Sequence, residues 1–139
     1  MKVTIFDTTL RDGTQGEGVS VSVKDKMAIA KKLDWLGVDY IEGGWPFSNP
    51  KDTEFFALAA KEKWKGKICA FGSTCRVGVK AEDDINLRAL LESKAHVVVI
   101  FGKSWDYQVT EALVTDLQEN LRMIYDSVKY LVDNGLEVI

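Results

Sequence analysis

Five residues able to hold ions or move protons, Asp7, Arg11, Asp12, Gln15 and Glu17, crowd into one short stretch, TIFDTTLRDGTQGEG, residues 4–18. Gly13, Gly16 and Gly18 are interleaved with them and free the backbone to turn tightly or to approach a ligand. The pattern returns further along: Glu42 stands before GGWP, Arg76 follows an apolar run, and Lys103 and Asp106 follow the pair FG. A carboxylate beside an arginine suits a site that holds a divalent cation together with a small oxoacid, one group binding the metal and the other neutralising the anion. Exposed loops are polar in any protein, but that alone does not bring acid, arginine and glycine back after four successive strands. The stretch DGTQGEG is neither a dinucleotide fingerprint nor a Walker A loop. His96, the one histidine, falls at the start of a strand and reads as packing, and Trp45 and Trp105 read as residues that line a pocket.

The elements that must carry these groups are legible as alternating strands and helices. Strand one covers about residues 2–7. Ser22 with Asp25 has capping-box spacing, and in the helix it opens Ile29, Ala30, Leu33 and Leu36 recur on one face before Gly37 ends it. Strand two is VDYIEGG. Asn49, Pro50 and Asp52 start a second helix that runs through Phe55, Phe56, Ala59 and Trp64 to Gly66. Strand three is KICAFGS, a helix covers residues 83–93, and strand four is HVVVIF, whose apolar character predicts burial on both faces of a parallel sheet. Thr115 with Gln118 reads as another capping box, opening a helix with Leu117, Leu121, Ile124, Val128 and Leu131 on one face. Trp35 and Trp64 read as helix packing, and LEVI begins a fifth strand. This order fits two architectures, the first half of an eight-stranded βα barrel or a five-stranded open sheet of flavodoxin type. In both, ligands bind beyond the C-terminal ends of the strands, where the charged residues gather. The apolar strand signal is still running at Ile139, which predicts a barrel cut short.

Composition bounds the function. The chain has 139 residues, 46% hydrophobic and 28% charged, with a net charge of -3, which suits one soluble core. No basic stripe is present to hold nucleic acid, and the longest apolar run, residues 97–101, is too short to cross a membrane. Asp7 interrupts any secretory signal. Cys69 and Cys75, in one extended region, would lie roughly 20 Å apart and cannot pair, which suits a reducing cytoplasm.

DTTLRDGTQ, residues 7–15, resembles the opening motif of the metal-dependent acyl-CoA Claisen enzymes, the family of 2-isopropylmalate, homocitrate and citramalate synthases and HMG-CoA lyase. The phrases DYIEGGWPFSNPKD, AFGSTCRVGVKAEDD and IFGKSWDYQVTEAL resemble the citramalate branch, which serves isoleucine biosynthesis. The resemblance covers nearly the whole chain. It implies an α/β fold, the N-terminal half of a TIM (β/α)8 barrel, with about four βα units plus the start of strand five, residues 1–139 being a partial catalytic domain. It implies Asp12 as a metal ligand, Arg11 as the group that holds the oxoacid and meets charge on its ketone oxygen, and Gln15 and Glu42 in the same pocket. Glu42 is thereby a catalytic candidate beside Arg11. Arg76 and Lys103 are substrate-contact candidates by their strand-end placement. The implied cofactor is a divalent ion of the Mg, Mn or Zn class, and the implied reaction condenses acetyl-CoA, as co-substrate, with pyruvate to give citramalate and CoA. The family completes its metal site with a His-x-His pair and an acidic residue after strand five, which a chain with one histidine cannot supply. The chain alone is therefore expected to bind metal weakly and to be inactive, and unpaired strand edges predict self-association, as a homo-oligomer, or marginal stability. Two alternatives stay open: a sister enzyme acting on another oxoacid, and a non-catalytic five-stranded module that binds an anion or a partner.

Overall fold

The computed structural model describes residues 3–139. In chain order the elements are β1 (Phe6–Asp7), α1 (Val23–Leu36), β2 (Tyr40–Gly44), α2 (Pro50–Ala59), β3 (Lys67–Ser73), α3 (Ile85–Glu92), β4 (Val97–Phe101), α4 (Asp106–Glu111), α5 (Leu117–Asp133) and β5 (Glu137–Val138). All four strand pairings are parallel. The strand order is β1-β2-β3-β4-β5, each strand beside its neighbour in sequence. An open sheet of flavodoxin type would exchange its first two strands, so this order belongs to a singly wound barrel segment and removes the open-sheet alternative.

Alternation along the strands separates two faces. A side chain on Gly43 would strike the Phe55 ring of α2 at 2.3 Å, and one on Gly72 would meet Asn86 and Leu90 of α3 at 2.9 Å, so these positions face the helices. Ile41, Ala70 and Val98 face the same way and are fully buried against Phe55, Phe56, Leu87, Leu90 and Met123. Tyr40, Glu42, Lys67, Cys69 and Phe71 alternate with them and face the opposite, inner side. At the start of that side, Tyr40 Oη donates to Glu137 Oε1 at 2.7 Å and Lys67 Nζ contacts Glu137 Oε2 at 2.5 Å. β2 and β5 are three strand spacings apart, about 14 Å in a flat sheet. Side chains that meet across β4 therefore require a sheet curved toward this face, the curvature of a barrel wall.

Several elements differ from the sequence reading. Among the described residues β1 is confined to Phe6–Asp7, and residue 2 of the predicted strand lies outside them. α2 ends at Ala59, and Trp64 lies beyond it, its indole donating to the Ala59 carbonyl at 2.9 Å. The α5 cap is Asp116, which accepts from Glu119 N, rather than Thr115. A short helix, α4, forms where a loop was expected. Trp35 is 76% exposed rather than packed. β4 is buried on both faces only at Val97 and Val98, and Phe101 is 53% exposed. Both cysteines are buried and unpaired.

Candidate active site

The loop after β1 winds tightly because the backbone N–H groups of Arg11, Asp12 and Gly13 all donate to the carbonyl of Thr8, at 3.1, 2.8 and 3.2 Å. This turn lifts Arg11 over the C-terminal ends of β2 and β3. Arg11 Nε donates to Glu42 Oε2 at 2.7 Å, Nη1 donates to Asp12 Oδ1 at 2.9 Å, and Cζ lies 4.1 Å above the centre of the Phe71 ring. Glu42 is 1% exposed. Burial pushes its carboxyl above the usual range, Arg11 opposes that, and Asp12 adds a further upward push. Cys69, beside Glu42 on the inner face, is pushed up to about 12, first by burial and then by the Glu42 charge, so its thiol stays protonated.

Gln15 joins Arg11 in lining a cavity of about 460 Å3, together with Lys26, Trp45, Asn49 and Lys51. The wall of this cavity is fixed by Asp52, which pairs with the buried Nζ of Lys26 and accepts from Trp45 N at 2.9 Å and Asn49 Nδ2 at 3.1 Å. Gly44, at φ +144°, must be glycine here, since a side chain would fall 2.5 Å from the Asp52 carboxyl carbon.

The site residues predicted from sequence therefore divide. Arg11, Asp12 and Glu42 meet directly, and Gln15 lines the adjoining cavity. Asp7 instead turns its carboxylate onto Thr9. Arg76 donates through N and Nε to Asp84 Oδ2, at 3.1 and 3.2 Å, and so fixes the start of α3. Lys103 lies 4.9 Å over Phe101 and lines a separate cavity of about 680 Å3 with Asn120 and Ile124. Sequence reasoning missed Phe71 and the Lys26–Asp52 pair. Alternation along KICAFGS, already read as a strand, was the signal that could have placed Phe71 on the inner face; Lys26 had none, being one more lysine in a charged helix.

The residues fit a divalent ion only in part. Asp12 offers one carboxylate, 63% exposed, with one oxygen bound to Arg11, and Glu42 is committed to Arg11. Among the described residues no three His, Cys, Asp or Glu side chains gather as a metal site.

The HMGL-like family description matches residues 2–138. The chain belongs to the HMGL-like family. It is 56% identical over 139 residues to a protein named (R)-citramalate synthase from Aquifex aeolicus, covering 99% of this chain and 26% of that one. A protein of the same name from Geobacter sulfurreducens is 54% identical, with 98% and 26% covered. The chain thus spans about a quarter of the length of the curated relatives it matches. Among solved structures, an HMG-CoA lyase from Brucella melitensis superposes with a TM-score of 0.72 at 17% identity, covering 98% of this chain and 47% of that one. That likeness concerns the fold, and it identifies the curved five-stranded sheet of this HMGL-like chain as part of an α/β barrel.

Proposed function

We propose that this chain forms the acceptor-binding wall of an acyltransferase that condenses acetyl-CoA with pyruvate and, as water cleaves the thioester, gives (R)-citramalate and CoA. The observation that carries the reading is the pose of Arg11. A guanidinium has five N–H donors; Glu42 and Asp12 engage Nε and Nη1, and among the described residues the Nη2 pair has no partner and is open to a ligand. A 2-oxoacid is planar and anionic, and an arginine fork matches its carboxylate and ketone oxygens. The identity to relatives named (R)-citramalate synthase supports pyruvate as the acceptor.

In this reading Arg11 binds the acceptor and meets the negative charge that appears on the ketone oxygen as the new carbon–carbon bond forms. Glu42 holds the guanidinium in place beforehand, so little reorganisation is needed at the moment of reaction. Gln15 contributes a further polar contact from the adjoining cavity. When bound beside Asp12, a divalent ion of the Mg, Mn or Zn class would supply Lewis-acid polarisation of that ketone; its remaining ligands would come from outside the groups present here. Arg76, bound to Asp84, and Lys103, which lines a separate cavity, are given no substrate contact in this reading.

The wider reading is a cytoplasmic protein with small-molecule substrates, serving isoleucine synthesis and assembled as a homo-oligomer. Two unpaired buried thiols support a reducing compartment, and among the described residues no helix is long and apolar enough to cross a membrane. In this chain on its own β1 and β5 are the edges through which copies would meet, whereas in the closed barrel both would be paired, and copies would meet through other surfaces.

The test is a fusion in which this chain replaces the matching quarter of the Aquifex aeolicus relative. Release of CoA thiol from acetyl-CoA is followed with pyruvate, 2-oxoisovalerate and 2-oxoglutarate in turn. Release with pyruvate is expected to exceed the other two clearly. A folded fusion that prefers another oxoacid would move the assignment to a sister enzyme, and one silent with all three would overturn the reading.

A further inference from the structure

We propose that Phe71 is a positioning residue for Arg11, with Trp45 as the brace that keeps its ring in place. The inference rests on the acceptor-binding reading of Arg11 and adds what holds that side chain in its pose. Glu42 and Asp12 fix the guanidinium along its edges, but two edge contacts leave its plane free to rock about the line between them. The Phe71 ring closes one face, with Cζ 4.1 Å from its centre, and so removes that motion.

The ring itself is held. Trp45 meets Phe71 edge to face, with ring centres 5.6 Å apart and planes at 84°. Trp45 is tied at both ends, its indole donating to Asn86 Oδ1 at 2.8 Å and its backbone N–H to Asp52 Oδ2 at 2.9 Å. Asn86 in turn donates to the carbonyl of Ser73, at the end of β3, at 2.6 Å. The loop after β2, the end of β3 and the start of α3 thus form one frame behind Arg11. A leucine at position 71 keeps an apolar side chain there and offers no π face, so comparison with tyrosine separates the cation contact from packing.

The test compares Phe71→Leu with Phe71→Tyr. In the 139-residue chain, the Arg11 Nε–H resonance reports the pose directly, since a proton held over a ring and bonded to a buried carboxylate is shifted by the ring current and slow to exchange; Arg11→Lys assigns it. Phe71→Leu is expected to lose the shift and the protection at an unchanged fold, and Phe71→Tyr to keep both. In the fusion described above, Phe71→Leu is expected to raise KM for pyruvate about ten-fold with KM for acetyl-CoA unmoved, and Phe71→Tyr to restore it. A purely structural role would lower the unfolding midpoint and move both KM values together. An Arg11 signal unchanged in a folded Phe71→Leu chain would overturn the proposal. An unsubstituted fusion silent with every oxoacid would instead count against the functional reading, while the resonance still decides whether Phe71 holds Arg11.

Discussion

Replacing Asp52 by alanine is expected to be among the most damaging single changes near the site, and the cost can be worked from its partners. The substitution leaves Lys26, 2% exposed, without its anion, which costs about 3–5 kcal/mol for a broken buried pair. It also strips the acceptor from Trp45 N–H, worth about 1–3 kcal/mol for a buried donor left unpaired. The sum, about 4–8 kcal/mol, is a large share of the roughly 7–21 kcal/mol that a chain of this size has in total. Lys26→Met is expected to cost less, because Asp52, unlike the orphaned lysine, keeps Trp45 N and Asn49 Nδ2 as donors. The double variant Lys26→Met, Asp52→Ala buries no charge and should therefore be more stable than Asp52→Ala alone. The assay is urea unfolding followed by tryptophan fluorescence, with Asp52→Asn as the milder variant where the alanine form does not fold. An Asp52→Ala cost under about 1 kcal/mol, or costs that simply add, would refute the reasoning.

Three further changes follow from local geometry. Val114 is 79% exposed and sits at φ +55°, a region that a β-branched residue enters only under strain, so Val114→Asn is expected to stabilise by about 1 kcal/mol and raise Tm in a thermal melt. The Glu119 carboxyl is held down at about 2 by its bond to Arg122 and by Gly78 N–H, so its contribution is full above the ordinary carboxylate range and is lost as pH falls from about 4.5 toward 2. Glu119→Gln should flatten that part of the stability–pH profile, and an unchanged slope would contradict the pairing. The Tyr40 phenol is raised first by its bond to Glu137, with Lys67 acting the other way, so Glu137→Gln should bring its ultraviolet titration to lower pH.

What could be read in advance was what the chain encodes locally. Ser22 and Asp25 close a full capping box, and Asn49 caps α2 ahead of Pro50, because each signal is complete within four residues. Where two caps compete, spacing alone fails: Thr115 has the right partner three residues on, but Asp116 reaches Glu119 N at 2.8 Å with a charged oxygen. Trp64 continues the apolar spacing of α2, yet its indole binds the end of the helix from outside, a tertiary contact that periodicity does not encode. The charged residues after β1 and β2 were legible as a site because topology delivers strand ends to one place. Their division was not, since Arg76 and Lys103 have the same sequence signature as Arg11 and differ in what packs beside them: Asp84 claims one and Phe101 underlies the other. Phe71 and Lys26 act through neighbours far away in sequence, and their roles emerge only when β3, the β2–α2 loop and α1 are brought together.

The central claim, that Arg11 holds the acceptor oxoacid, is tested most directly by Arg11→Gln in the fusion with the Aquifex relative. The account predicts a fall of about 100- to 1,000-fold in kcat/KM for pyruvate, the scale for losing a charge-stabilising donor, with KM for acetyl-CoA unchanged. A fusion that keeps near-normal kcat/KM for pyruvate without Arg11, or that loses acetyl-CoA and pyruvate binding together, would contradict it.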